Sequence, residues 1–128
     1  MFYKFDEMLT DVKVVPAGEP GDLRRLACFG DKLSAMYCDF DKGFRWDTHA
    51  HVHEQLTICI YGAIEYRIGD ETMVMHAGDT AYLPSNVPHS AVCLEDTRII
   101  DIFTPVRMDQ MAFFDKSIQA ESALITSK

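Results

Sequence analysis

The sequence predicts an all-β protein, a sandwich or barrel built from about eight short strands. Two observations carry this. Short apolar segments alternate with turn-forming residues at nearly regular spacing from residue 23 to residue 103, the pattern of strands joined by hairpins. No internal repeat, linker or low-complexity tract divides the chain, and its 128 residues suffice for one domain with a buried core.

Taken in order, residues 1–22 form an N-terminal arm. The segment ends in Pro16-Ala17-Gly18-Glu19-Pro20, and its prolines and glycine favour extended backbone. Strands are expected over 23–29, 33–40, 55–61, 63–68, 72–75, 80–83, 90–94 and 98–103. The separators Gly30-Asp31-Lys32, Asp41-Lys42-Gly43, Gly69-Asp70-Glu71, Ala77-Gly78-Asp79 and Pro84-Ser85-Asn86 all supply turn chemistry. The barrel therefore spans 23–108. In the tail, 109–128, Met111, Phe114 and Ile118 recur at helical spacing, which predicts a short amphipathic helix. Arm and tail are expected to cover a sheet face or a subunit contact.

Composition narrows the function classes. With 48% hydrophobic and 25% charged residues the chain has a globular balance. A formal net charge of −8 argues against nucleic acid and against an anionic membrane surface, both of which need clustered cations. An acidic small molecule stays open only where a metal or an inward arginine offsets that charge. Acidic Asp6 and Glu7 stand where a signal peptide would be basic and then apolar, and no apolar run reaches spanning length. The four cysteines, Cys28, Cys38, Cys59 and Cys93, lack paired zinc-finger spacing. They read as reduced, mostly buried residues of a cytoplasmic protein.

The run His49-Ala50-His51-Val52-His53-Glu54-Gln55 places three imidazoles and an amide at alternate positions. In an unbulged strand these side chains share one face, so His49, His51 and Gln55 converge from a single strand. His89 opens a later strand, which barrel closure brings opposite. Such a set suits one borderline divalent ion, Ni, Zn, Fe, Mn or Co, rather than soft thiolate chemistry. His53 shares the alternation but would crowd the site. Thr57, Cys59 and Tyr61 share the parity of Gln55, and Cys93 that of His89. They line the same cavity or pack the interior, with packing preferred for the cysteines. Asp101 interrupts the apolar run Ile99-Ile100-Asp101-Ile102-Phe103. It faces the interior with Phe103, where burial suits it to proton transfer, or lies on an exposed edge with Ile100 and Ile102 in the core. Sequence pattern leaves both open.

The spacing Gly43-x5-His49-x-His51-x3-Gln55-x6-Gly62 resembles the first cupin motif, with glutamine in the usual acidic position. Gly78-x5-Pro84-x-Asn86-x2-His89 resembles the second, with Asn86 replacing a glycine. Asparagine also visits left-handed backbone. This resemblance implies a jelly-roll β-barrel and is specific for fold rather than reaction. Together with Pro88-His89 and Asp101-x-Phe103-x3-Arg107, the motifs are similar to those of the small pectin-degradation cupins of the KdgF type. Those act on unsaturated monouronates from pectin or alginate, converting the cyclic 4,5-unsaturated acid to its linear keto form. The resemblance implies a metal held by His49, His51, Gln55 and His89, with Asp101, Phe103 and Arg107 lining the active site. It also implies a sugar-acid substrate and a homodimer, which apolar outer positions Ile100 and Ile102 would suit. An Fe(II) dioxygenase, another metal-dependent isomerase or lyase, and a non-catalytic binding cupin remain as alternatives.

Overall fold

The computed structural model describes residues 2–5, 10–12 and 23–107. It contains β1 (Thr10–Val12), β2 (Leu23–Phe29), β3 (Ser34–Phe40), β4 (Arg45–His49) and β5 (Glu54–Tyr61). These are followed by β6 (Ile64–Ile68), β7 (Glu71–Met75), β8 (Thr80–Leu83), β9 (His89–Cys93) and β10 (Thr97–Thr104). All eight expected strands are present, with each end within one residue of its expected position. Two strands, β1 and β4, were not expected. The helix expected in 109–128 and most of the arm lie outside the described residues. Among the described residues no helix is long and apolar enough to cross a membrane.

The strands form two antiparallel sheets, β1-β2-β3-β10-β5-β8 and β4-β9-β6-β7. Their facing sides enclose the core, the architecture of a jelly roll. Alternation decides which residues go inside. In β10, Ile99 and Phe103 are buried while Ile100 and Ile102 lie on the outer face, partly exposed. In β5, Gln55, Thr57 and Cys59 point inward while Leu56 and Ile60 point out. The one breach of parity is Tyr61. A register shift between Arg98 and Ile99 turns it out to 43% exposure, beside the Arg98 guanidinium. Cys38, Cys59 and Cys93 are buried, free thiols.

The chain changes sheets between β5 and β6, and Gly62 makes this possible. Its φ is +98°, and a Cβ there would lie 2.3 Å from the Asp96 carbonyl oxygen and 2.7 Å from Thr97 Cα. Only glycine tolerates both the backbone angle and the approach. Across the outer face of the larger sheet, Arg98 grips the buried Asp39 carboxylate through Nε and Nη2 at 2.6 and 2.7 Å. Phe5 lies over the same guanidinium, 4.4 Å from ring centroid to Cζ, and against Tyr37, so this part of the arm covers a sheet face.

Candidate metal centre and acid pocket

The three ligand-type histidines do come together, but not from one strand. His49 ends β4 and pairs in register with His89 at the start of β9, both in the smaller sheet. His51 lies in the connection between β4 and β5, and Gln55 enters from β5 of the larger sheet. The single-strand arrangement fails because the chain crosses between sheets at residues 50–53, where Val52 turns out to solvent. The opposed sheets still direct the side chains to one point. One ring nitrogen from each of His49, His51 and His89 lies within 4.8 Å of the others. Asn86 helps to set the approach to His89: it adopts φ +64°, as its place in the second motif requires, and its N–H donates to the His51 carbonyl at 2.7 Å.

Hydrogen bonding fixes what the cluster presents. Nδ1 of His49, His51 and His89 lies 3.1, 3.0 and 2.9 Å from the carbonyl oxygens of Asp47, His53 and Val87. A carbonyl can only accept, so each Nδ1 carries the proton and each Nε2 is left as a lone pair, the arrangement of metal-ligating imidazoles. Burial, with the neighbouring cations, pushes the His89 pKa down to about 4 and lowers that of His51, keeping both rings neutral. Gln55 Oε1 stands 3.0 Å from His51 Nε2. Two acceptors facing each other at that distance repel unless a cation lies between them. For metal–ligand bonds of roughly 2.1 Å, adjacent ligand atoms sit about 3 Å apart. The donor set therefore suits a divalent ion.

Gln55 also ties this cluster to Asp101. Its Nε2 donates to Thr57 Oγ1 at 2.8 Å and to Asp101 Oδ1 at 3.0 Å, and Thr57 Oγ1 donates to the same Oδ1 at 2.6 Å. Asp101 thus faces the interior, which settles the choice that the sequence left open. Burial raises its pKa to about 6, against the opposing pull of the Thr57 and Gln55 hydrogen bonds and of Arg107 and Arg25. Among the described residues, no hydrogen bond reaches Oδ2.

Cluster and carboxyl open into one cavity of about 190 Å³. Met36, Phe40, Phe44, Trp46, Tyr66 and Phe103 line it, and Arg107 and Arg25 add charge beside Phe103 and Met36. The Arg107 Cζ lies 4.9 Å from the Phe103 ring centroid, and that ring also meets His51. The volume falls below the roughly 300–1,000 Å³ of drug-sized sites, which suits a small ligand. A larger groove of about 580 Å³ opens between β7 and β8, lined by residues such as Met73 and Tyr82, and among the described residues no histidine or arginine lines it. Among the polar groups that line the acid pocket, sequence reasoning passed over the Tyr66 hydroxyl and, with less excuse, Arg25. The signal was there: Arg24-Arg25 is a doublet within a strand, so one of the two must face inward.

The cupin domain family matches residues 36–103. KdgF from Halomonas sp. is 30% identical, with a TM-score of 0.75 over 86% of this chain and 99% of that one. An RmlC-like cupin from Shewanella frigidimarina is also 30% identical, with a TM-score of 0.73 over 86% and 96% of the two chains. At 15% identity, a cupin superfamily protein of Desulfitobacterium hafniense shares the fold, with a TM-score of 0.62 over 72% and 84%. No curated protein matches the chain. With these matches, an all-β barrel and a histidine cluster suited to metal, the chain belongs to the cupin family, as a small cupin resembling KdgF.

Proposed function

We propose that the protein is a metal-dependent enzyme converting 4,5-unsaturated monouronates to linear keto sugar acids. The observation that carries this reading is Gln55. One amide joins a histidine cluster built for a metal to a buried carboxyl of raised pKa. His49, His51, Gln55 and His89 hold the ion, one of Ni, Zn, Fe, Mn or Co. When bound, it supplies a Lewis acid that polarises an oxygen of the sugar acid.

The remaining roles belong to the chain. Arg107 pairs with the substrate carboxylate through its planar fork, and Phe103, stacked against it, sets the apolar side of the ring. Asp101 moves the proton. Thr57 and Gln55 anchor Oδ1, which leaves Oδ2 for the substrate, and a pKa of about 6 allows both uptake and release near neutrality. The conversion is an isomerisation. The anomeric hydroxyl loses its proton as its carbon becomes a carbonyl and releases the ring oxygen. A proton then adds to the former double bond as the resulting enol becomes a ketone, so no atom is gained or lost.

Four free thiols suit a reducing, cytoplasmic setting. The apolar outer face bearing Leu56, Ile60, Tyr82, Ile100 and Ile102 favours a homodimer, for which light scattering gives the mass. To test the activity, the protein is stripped with chelator, reloaded with each metal and given a 4,5-unsaturated monouronate. The expected result is metal-dependent loss of the conjugated ultraviolet chromophore, abolished in His51→Ala and Asp101→Asn. Loss no faster than the spontaneous rate with every metal would refute the uronate reading.

A further inference from the structure

We propose that Trp46 is a specificity-determining residue, a stacking surface that selects a flat, unsaturated ring acid over a puckered, saturated one. The inference rests on the uronate reading, from which it takes the shape of the ligand, and adds to it the group that recognises the double bond.

The cavity combines two kinds of lining. His49, His89, Gln55 and Asp101 supply polar groups, while Phe40, Phe44, Trp46 and Tyr66 supply aromatic carbon. Phe40, Phe44 and Tyr66 belong to the buried core, where close packing accounts for their rings. Trp46 only packs against that core and stays half-buried, so part of its indole is left over. Its place is set by β4, the strand that ends at the ligand-type His49. It pairs in register with Ala91, and on the far side of Ala91 stands Tyr66. The small methyl between the two rings leaves room above it. Neighbouring rings hold the indole in one orientation: Phe40 at 5.2 Å and 35°, Phe44 at 6.1 Å, and Tyr66 at 5.8 Å and a steep 76°. A side chain held in this way loses little further freedom when a ligand settles on it.

Ring shape then points to the ligand. In a 4,5-unsaturated uronate the double bond is conjugated with the carboxylate, which makes that end of the ring planar. A saturated uronate is a chair, whose axial atoms hold a flat surface away. The planar ring therefore makes the fuller dispersion contact with an indole. Phe103, from the larger sheet, lines the same cavity, so a ring bound between the sheets meets aromatic carbon from both. Ring opening destroys the planar system, so Trp46 holds substrate more firmly than product.

The test uses zinc-loaded full-length protein and two unreactive probes, furoate, which is flat, and tetrahydrofuroate, which is puckered. In each the ring oxygen lies beside the carboxyl-bearing carbon, as in the uronate. Trp46 is the only tryptophan of the chain, so its fluorescence reads a ring settling on it, and titration calorimetry gives the affinities. An aromatic contact of this kind corresponds to about three- to tenfold in affinity. Wild type is expected to bind furoate tighter by that factor, with a change in emission. Trp46→Leu loses the preference, and Trp46→Phe, a milder change should the leucine variant not fold, keeps most of it. An unaltered preference in folded Trp46→Leu would overturn the proposal and make Trp46 a packing residue. So would wild-type protein that binds both probes alike, or emission that furoate leaves unmoved. These results leave the uronate reading intact, because loss of the unsaturated monouronate chromophore decides it separately. Wild-type protein that prefers furoate yet never consumes that chromophore would sink the uronate reading and keep Trp46 as the selector of flat acids.

Discussion

Gly62 and Gly78 form a matched pair on which the argument from close approach can be tested. Both have positive φ, +98° and +92°, so alanine at either position meets the same backbone penalty of about 1–2 kcal/mol. A more restricted unfolded chain returns about 0.4–1 kcal/mol. Surroundings separate them. Around Gly78 nothing lies within 4 Å of an added Cβ, whereas at Gly62 the methyl would sit 2.3 Å from the Asp96 carbonyl oxygen and 2.5 Å from Thr97 Oγ1. The Asp96 oxygen and Thr97 Cα, 2.7 Å away, are backbone atoms at the entry to β10, which pairs with β3 and β5. Relief therefore means moving a central strand and disturbing the contacts of Thr97 Oγ1 with Ala63 N and O, each 3.2 Å. Overpacking of this kind costs about 1–3 kcal/mol, and each strained hydrogen bond about 1 kcal/mol. Gly78→Ala should thus cost about 1 kcal/mol, and Gly62→Ala about 4 kcal/mol or more. Urea denaturation of metal-free protein, compared through the midpoints at constant slope, measures the difference. Equal losses at the two positions would show that φ alone decides, and that the approach to β10 has no energetic weight.

Asp101→Asn should stabilise the metal-free protein. The fold holds this carboxyl near pH 6 against an ordinary 3.8, so the folded state binds the extra proton between those values and wild-type stability falls as pH rises through that window. The variant's gain is then near zero at pH 3.5 and up to about 3 kcal/mol at pH 8; a gain that does not change with pH would contradict this. His89→Ala should weaken nickel binding about a hundredfold or more, read by competition against a chelator, and an unchanged affinity would remove His89 from the ligand set. Arg98→Met leaves the buried Asp39 carboxylate only the more distant Arg24 guanidinium at 3.9 Å, at a cost of up to about 3 kcal/mol, and Asp39→Leu in the same chain should recover most of it. No recovery in the double variant would mean that Arg98 acts through its packing against Phe5 and Tyr61.

The strands were legible because each carries enough apolar residues on one face for alternation to be seen. β4 was not. Of Arg45-Trp46-Asp47-Thr48-His49, only Trp46 packs against the core, and one aromatic among polar residues gives no period. β1 is three residues long, too short for any pattern. The ligand-type residues were legible as a set while their placement was not. Alternation assigns one strand to any period-two run, and a crossing between sheets leaves the same trace when its side chains converge. For Asp101 the sequence gives two faces of one strand without saying which is inside. What decides is its partners Thr57 and Gln55 on the neighbouring strand, a long-range fact.

His49 and His89 belong to the smaller sheet and Gln55 to the larger, with His51 on the chain between them. An ion held by all four would be a clasp across the mouth of the barrel, reinforcing the chain crossings and the Asn86–His51 hydrogen bond that already join the two halves there. Such a clasp makes fold and cofactor supply one economy. Its contribution grows with the logarithm of free metal, about 2.7 kcal/mol at a hundred times the dissociation constant. A cell starved of the ion would then hold a looser barrel, and the lifetime of the chain against proteolysis would report the metal status of its surroundings.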